Sequence, residues 1–383
     1  MDFILNDEQR MIQKSVREFA KKEIAPVASI YDRNHEFPWD IIKKLADLNL
    51  LGILIPERYG GAGLDYLSYA IVIEEISRYD ASIGVTLAAH NSLGVGHIYT
   101  AGNEKQKRRY VTPLAKGEIL GAWALTEPCA GSDAAGIETT AVKDGDEWVL
   151  NGTKRFITNG SVCGTVVVMA KTDPSKGAHG ISAFIVEKGT PGFIIGRQEE
   201  KLGLNASDTS ELIFDNCRIP YENLLGKEGE GFIDTMRLLD AGRIGIGAMA
   251  LGIAKGALEE SIKYAKERVA FGHPIAEFEA IQWKIADMAT EIEASRLLTF
   301  RAAFLKDRGE GVTKEAAMAK LFASEAGIRA CSEAVQILGG YGYTKDFPVE
   351  RYFRDVRLCA IGEGTSEIQR LVIARQILGV VRG

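Results

Sequence analysis

The chain has 383 residues, 46% hydrophobic and 26% charged. This composition is close to the average for folded water-soluble chains and excludes wholesale disorder, a collagen-like repeat or a small disulfide-stapled fold. Forty-six basic residues against 52 acidic ones leave a net charge of -6, without the basic excess that phosphate-backbone binding shows, so no nucleic acid partner is expected.

At roughly 150 residues per domain the length allows two or three domains. The five cysteines, Cys129, Cys163, Cys217, Cys331 and Cys359, are odd in number and widely spaced, with no Cys-x-x-Cys and no histidine at zinc-ligand spacing. Neither a disulfide framework nor a metal site is expected. The opening Met1-Asp2-Phe3-Ile4-Leu5-Asn6-Asp7-Glu8 is acidic and polar, and no uninterrupted apolar run of about 18 residues occurs, so the chain reads as cytoplasmic with no membrane span. The basic run Lys105-Gln106-Lys107-Arg108-Arg109 reads as a solvated helix face.

From Asn6 to Ile119 the apolar spacing is helical. Asp7-Glu8-Gln9 opens a segment with Met11, Val16 and Phe19 near one face, and Pro26 interrupts it; another helix starts at Phe37-Pro38-Trp39-Asp40. Pro56 to Gly63 is a loop, and Tyr66 to Arg78 and Glu104 to Leu114 return to helical spacing. From Gly121 to Gly231 short β-branched runs alternate with turns: 139–142, 148–150, 165–169, 181–186 and 211–214. With no helical stretches between them, they predict an antiparallel barrel or sandwich. Four long helical patterns follow, over 232–269, 280–305, 314–338 and 366–378. The expected architecture is therefore an α+β multidomain chain: an N-terminal α-helical domain (1–119), a middle antiparallel β-barrel or sandwich domain (120–230) and a C-terminal four-helix bundle (231–383).

One motif is a decoy. Gly245-Ile246-Gly247-Ala248-Met249-Ala250 fits the dinucleotide-binding G-x-G-x-x-G/A letter by letter, but a helix rather than a strand precedes it, so close helix packing explains the small residues. Leu125 to Asp133 and Phe156-Ile157-Thr158-Asn159-Gly160 fit structural turns as well as they fit ligand loops. In Ile361 to Arg370, Thr365 or Ser366 can cap the last helix, while Glu363 lies between two glycines. Locally it reads either as a solvated acid near a helix N-terminus or as a general base facing a cavity. His90 and Asn91, in Thr86 to Ser92, fit packing no worse than chemistry.

Taken together the chain resembles the acyl-CoA dehydrogenases, flavoproteins that convert a saturated acyl-CoA to the 2-enoyl-CoA. The resemblance spans nearly the whole chain and rests on Pro56 to Gly61, Leu125 to Asp133, Phe156 to Gly160, Asp240 to Gly245, Arg268 to Gly272, Gln336 to Gly342 and Glu363 to Arg370, in that order. It implies an α, β, four-helix fold assembled as a homotetramer, bound FAD, an electron-transferring flavoprotein as acceptor, and a place in fatty acid β-oxidation. It also implies that Glu363 removes the α-proton while the β-hydride leaves to flavin N5, with the Glu363 backbone N–H and a ribityl hydroxyl polarising the thioester carbonyl. Some relatives carry the base on a bundle helix just before an arginine matching Arg243, and here that position is Gly242.

By the same resemblance, Trp123, Leu125, Thr126, Ser132, Phe156 and Thr158 line the flavin. Arg268, Phe271, Gln336, Gly339, Gly340, Thr365 and Glu367 hold its pyrophosphate and adenine, partly across a subunit interface. Ser132, Asp240, Arg243 and Gly364 face the CoA and thioester. Three positions depart from the pattern: Glu279 replaces a cofactor-touching glutamine, Phe156 a common tryptophan, and Gly362 the tyrosine of short- and medium-chain enzymes. Glycine at 362 is shared with relatives resembling isovaleryl-CoA dehydrogenase and implies a short-chain pocket that also admits branched or alicyclic groups. Glutaryl-CoA is disfavoured, because no arginine stands within Ala81 to Val85 to pair a distal carboxylate. Two competing readings of the same chain are an acyl-CoA oxidase using oxygen and a non-catalytic flavoprotein subunit of an electron-transfer complex.

Overall fold

The computed structural model describes residues 4–379; residues 1–3 and 380–383, the ends of the first and last expected segments, lie outside the described residues. The first third is helical, as the spacing predicts. Asn6 starts α1 (Asp7–Phe19) with a reciprocal cap: its Oδ1 accepts from Gln9 N at 2.8 Å while its own N–H donates to Gln9 Oε1. A turn containing Pro26 leads to α2 (Ala28–Asn34) and α3 (Trp39–Asp47). Then come α4 (Tyr66–Ser77), α5 (Ala81–Ala88) and α6 (Gly96–Ala101), followed by the short α7 (Glu104–Gln106) and α8 (Thr112–Ala115).

The middle third forms one sheet of β1 (Gly121–Ala124), β2 (Thr140–Asp144), β3 (Glu147–Thr158), β4 (Thr165–Lys171), β5 (Ile181–Glu187), β6 (Phe193–Gln198), β7 (Thr209–Pro220) and β8 (Leu224–Leu225). The strand order is β6-β7-β3-β2-β4-β5-β8, with β1 also on β4. Most pairings are antiparallel, but β1 and β2 both run parallel to β4, β1 along Thr165 to Val168 and β2 at Lys171. The two strands therefore follow one line beside β4, and residues 125–139 leave that line and return to it. The predicted ligand loop is this excursion. Trp148, Leu150, Val166, Phe184 and Phe214 fill a core within the sheet.

The last third carries α9 (Gly231–Glu267), a hairpin of β9 (Val269–Ala270) and β10 (His273–Pro274), α10 (Glu279–Asp307), α11 (Thr313–Leu338), α12 (Val349–Asp355) and α13 (Ser366–Leu378). By length and composition α9 could cross a membrane, yet 89% of its most apolar window is buried inside the protein. It is the central core helix. Its glycines permit the approach: a Cβ at Gly245 would lie 2.4 Å from Tyr69 Oη, and one at Gly252 2.3 Å from the Glu74 carbonyl oxygen, both on α4. The dinucleotide-like motif is thus packing. Ile73, Ile76 and Leu87 join Ile244, Leu251 and Ile253 in one core linking the N-terminal helices to the bundle. Charges cross the same seam, with buried Glu74 and Glu75 of α4 bound by Lys255 of α9 and Arg17 of α1, each at 2.6 Å.

Candidate active site

The segment between α12 and α13 reverses through two successive left-handed residues, Glu363 (φ 53°) and Gly364 (φ 92°). Such a conformation in a residue bearing a Cβ costs roughly 1–2 kcal/mol and is kept only where the surroundings enforce it. Here they do. Thr365 Oγ1 caps α13 by accepting from Ile368 N. Gln369 Nε2 donates to the carbonyls of Glu363 (3.3 Å) and Gly364 (2.9 Å), and Lys320 Nζ donates to the latter at 2.5 Å. Lys320 and Gln369 are fully buried.

The turn lays the Glu363 carboxylate against α9. Its Oε2 is buried and has no hydrogen-bond partner among the described residues, and a Cβ built at Gly242 would lie 1.9 Å from that oxygen. Beside it, buried Arg243 pairs with Asp240 at 2.8 Å, and Asp240 accepts from Thr313 Oγ1 at 2.8 Å; Arg243 Nε is left free of a partner. Burial pushes the Glu363 carboxyl up to about 7, against the opposing pull of Lys320 and Arg243. Lys320 is itself drawn down to about 8, chiefly by burial. A carboxylate with an open lone pair and a proton affinity near neutrality suits general base chemistry. Gly362 precedes it, and a Cβ there would meet only Leu358, at 3.5 Å.

A second group gathers at the sheet. Trp123, next to last in β1, is half-buried, its Nε1 donating to His97 Nδ1 at 3.0 Å. This bond fixes the proton of the buried His97 ring on Nε2, which has no partner. Leu125 and Thr126 begin the excursion. The Leu125 carbonyl accepts from Lys154 Nζ at 3.0 Å and the Thr126 carbonyl from Arg155 N at 2.8 Å, so the excursion lies alongside the end of β3 that bears Phe156 and Thr158. Lys154, fully buried, also pairs with Glu127 at 2.7 Å. Phe156 is left-handed (φ 59°) with its ring 58% exposed, and Ser132 stands exposed farther along the excursion. An exposed aromatic ring, with the Arg155 guanidinium over it at 5.3 Å and Thr158 two residues on in the same strand, fits a planar flavin ring.

A third group surrounds an open cavity of about 510 Å³ lined by Arg268, Tyr264, Ile275, Gly339, Gly340 and Tyr341, among others. A Cβ at Gly339 or Gly340 would touch nothing, so their backbone is accessible, and Arg268 supplies a planar cation; both features fit a pyrophosphate. Phe271, at the hairpin tip, is 95% exposed and lies outside this lining, as do the exposed Gln336 and Glu279. Glu279 is the first residue of α10, where negative charge suits the helix terminus without any ligand. Thr365 is half-buried and Glu367 exposed.

Two buried cations of these groups, Lys320 and Lys154, escaped the sequence reading, and Glu127 and Gln369 stood inside the motifs named above without a role. For Lys320 a signal existed, a cation on the inward stripe of Ala316, Ala323 and Gly327. His90 and Asn91 turn out to be structural. His90 accepts from Gly121 N and bonds the Leu114 carbonyl, while Asn91 ties Ile53 N to the carbonyls of Leu50 and Leu87.

Family models for the N-terminal, middle and C-terminal domains of acyl-CoA dehydrogenase match residues 6–118, 122–217 and 229–378. The acyl-CoA dehydrogenase of Bacillus subtilis (strain 168) is 55% identical over 375 residues, covering 98% of this chain and 99% of the relative. Butyryl-CoA dehydrogenase from Megasphaera elsdenii superposes with a TM-score of 0.97 at 45% identity, covering 99% of this chain and 100% of that one. A chain in the structure described as "Electron transferring flavoprotein of Acidaminococcus fermentans: Towards a mechanism of flavin-based electron bifurcation" superposes at 0.98 with 51% identity, covering 99% and 100%.

Proposed function

The chain belongs to the acyl-CoA dehydrogenase family, and on that premise we propose that it oxidises a short acyl-CoA to the 2-enoyl-CoA with Glu363 as the α-proton base. The observation that carries the assignment is the buried, unpartnered Glu363 Oε2 facing the vacant side of Gly242. Because Gly242 has no side chain, no second carboxylate competes from that position. FAD, held by the Phe156, Thr158 and Arg268 groups, supplies the hydride acceptor when bound. The protein's part is to orient the thioester along Asp240, Arg243 and Gly364, and to accept the α-proton at the Glu363 carboxylate.

Glu363→Gln tests this reading. The variant is expected to purify with its full FAD content and to show no bleaching of flavin absorbance on anaerobic addition of butyryl-CoA, and substantial bleaching would exclude Glu363 as the base.

The similarity to a butyryl-CoA dehydrogenase supports a four-carbon substrate. Gly362 extends the range to branched or alicyclic groups: a Cβ there would make only an ordinary contact with Leu358 at 3.5 Å, so neither backbone nor neighbours demand glycine, and the position adjoins the base. The electron acceptor is an electron-transferring flavoprotein, which the similarity to a chain in such a structure supports. The working form is a cytoplasmic homotetramer with domains at 1–119, 120–230 and 231–383; exposed Phe271, Trp283 and Tyr343 supply apolar surface for subunit contact.

A further inference from the structure

The left-handed turn at Glu363 and Gly364 swings the carboxylate onto Gly242, and two side chains hold that turn from behind. Gln369 grips both carbonyls from within α13's own first turns. Lys320 reaches the Gly364 carbonyl from α11, 44 residues away in sequence, with its side chain fully buried. Nothing in the packing calls for an ammonium there. Lys320 sits on a helix stripe of alanines, and a methionine would fill similar space without the cost of desolvating a charge.

We propose that Lys320 is a positioning residue for proton abstraction: its ammonium, through the Gly364 carbonyl, holds the turn that aims the Glu363 carboxylate. The proposal rests on the reading of Glu363 as the base. Lys320 also faces Glu363 electrostatically and favours its ionised form, together with Arg243 of α9; Tyr69 of α4 lies in the same field. Cys359 and Glu367 also act on Lys320 electrostatically, and Asp240 holds Arg243. Lys320 is therefore a strap on the backbone and a counter-charge in one side chain.

The test uses the FAD-loaded enzyme and its Lys320→Met, Lys320→Gln and Glu363→Gln variants. The rate of anaerobic flavin bleaching by butyryl-CoA is followed from pH 5.5 to 9, alongside FAD content and the half-saturating thioester concentration. With Lys320→Met, FAD content and half-saturation are expected to stay within about threefold while the limiting bleaching rate falls about 100-fold, the scale of a small misplacement of a reacting group. The midpoint of the acid limb is expected to rise, since a positive charge that favours the carboxylate is gone. Lys320→Gln keeps a donor without the charge, so it recovers part of the rate and none of the midpoint; if the methionine variant does not fold, this shift decides alone. An unchanged rate and midpoint, or a rate lost only in proportion to FAD, overturns the proposal and leaves Lys320 a packing residue. Rapid bleaching by Glu363→Gln overturns the base assignment instead, whatever the lysine variants do.

Discussion

Gly242 and Glu363 are 121 positions apart in sequence and share one small volume, since a methyl group at 242 would lie 1.9 Å from the carboxylate oxygen. Gly242→Ala must therefore push the carboxylate aside. The expected result is a loss of about 100-fold in flavin bleaching rate with FAD content preserved. Burial of the same carboxylate has a thermodynamic signature. Its folded-state pKa, near 7, lies above the ordinary 4.5, so ionisation costs native stability: the cost is absent below about pH 4.5, grows to pH 7 and is complete above it. Glu363→Gln imitates the protonated form. In denaturant titrations it is expected to be about 2–3 kcal/mol more stable than the parent at pH 8.5 and close to equal at pH 4.5. Gly362→Tyr is expected to slow bleaching by isovaleryl-CoA or cyclohexanecarboxyl-CoA at least tenfold more than bleaching by butyryl-CoA, and equal losses would sink the enlarged-pocket reading. A Cβ at 362 would make only an ordinary 3.5 Å contact with Leu358, and a denaturant titration of the variant separates a pocket effect from a folding one.

The long helices, five of the eight strands of the middle sheet and the order of domain types were legible because periodicity is local, whereas β1, β6 and β8 fall outside the expected runs. The four long helical patterns fall within about two residues of Gly231–Glu267, Glu279–Asp307, Thr313–Leu338 and Ser366–Leu378. The parallel pairing of β1 and β2 with β4 was not legible. It arises because an excursion of 15 residues returns to its own strand line, and no local pattern encodes that. Motif positions were readable only through resemblance, and the polar residues behind them hardly at all: Lys154 and Glu127 stand in unremarkable strand and turn contexts, and only the fold joins them. That buried pair clasps the excursion to β3. Lys154→Met leaves Glu127 buried without its counter-ion, so a loss of about 3–5 kcal/mol is expected by denaturant titration. Weaker FAD retention on gel filtration should accompany it, because Leu125, Thr126 and Phe156 are placed by the same clasp.

On the scale of the molecule, the apolar residues left in the open are unevenly placed. Phe271 is 95% exposed and Tyr343 90%, each close in sequence to residues that line the groove of Arg268 and Gly340; Trp283 of α10 and Ile377 of α13 are also more than half exposed. A second copy that covers this region would complete the cofactor cradle as well as the subunit contact. Light scattering is expected to give four times the mass of the chain, and Phe271→Asp to lower both the assembly state and the FAD content. A variant that dissociates with its FAD intact would separate the two.

The shared volume at Gly242 and Glu363 also constrains descent. On the reading of Glu363 as the base, one spot against α9 can be reached from two addresses in the chain, one on α9 and one before α13, and a side chain at 242 would displace the carboxylate now there. A lineage can exchange them only by vacating the first before or while filling the second. Unless both changes arrive together, the route runs through a form without a base, and selection would see that form as a dead enzyme. Glycine at 242 is thus the vacancy that a base delivered from before α13 requires.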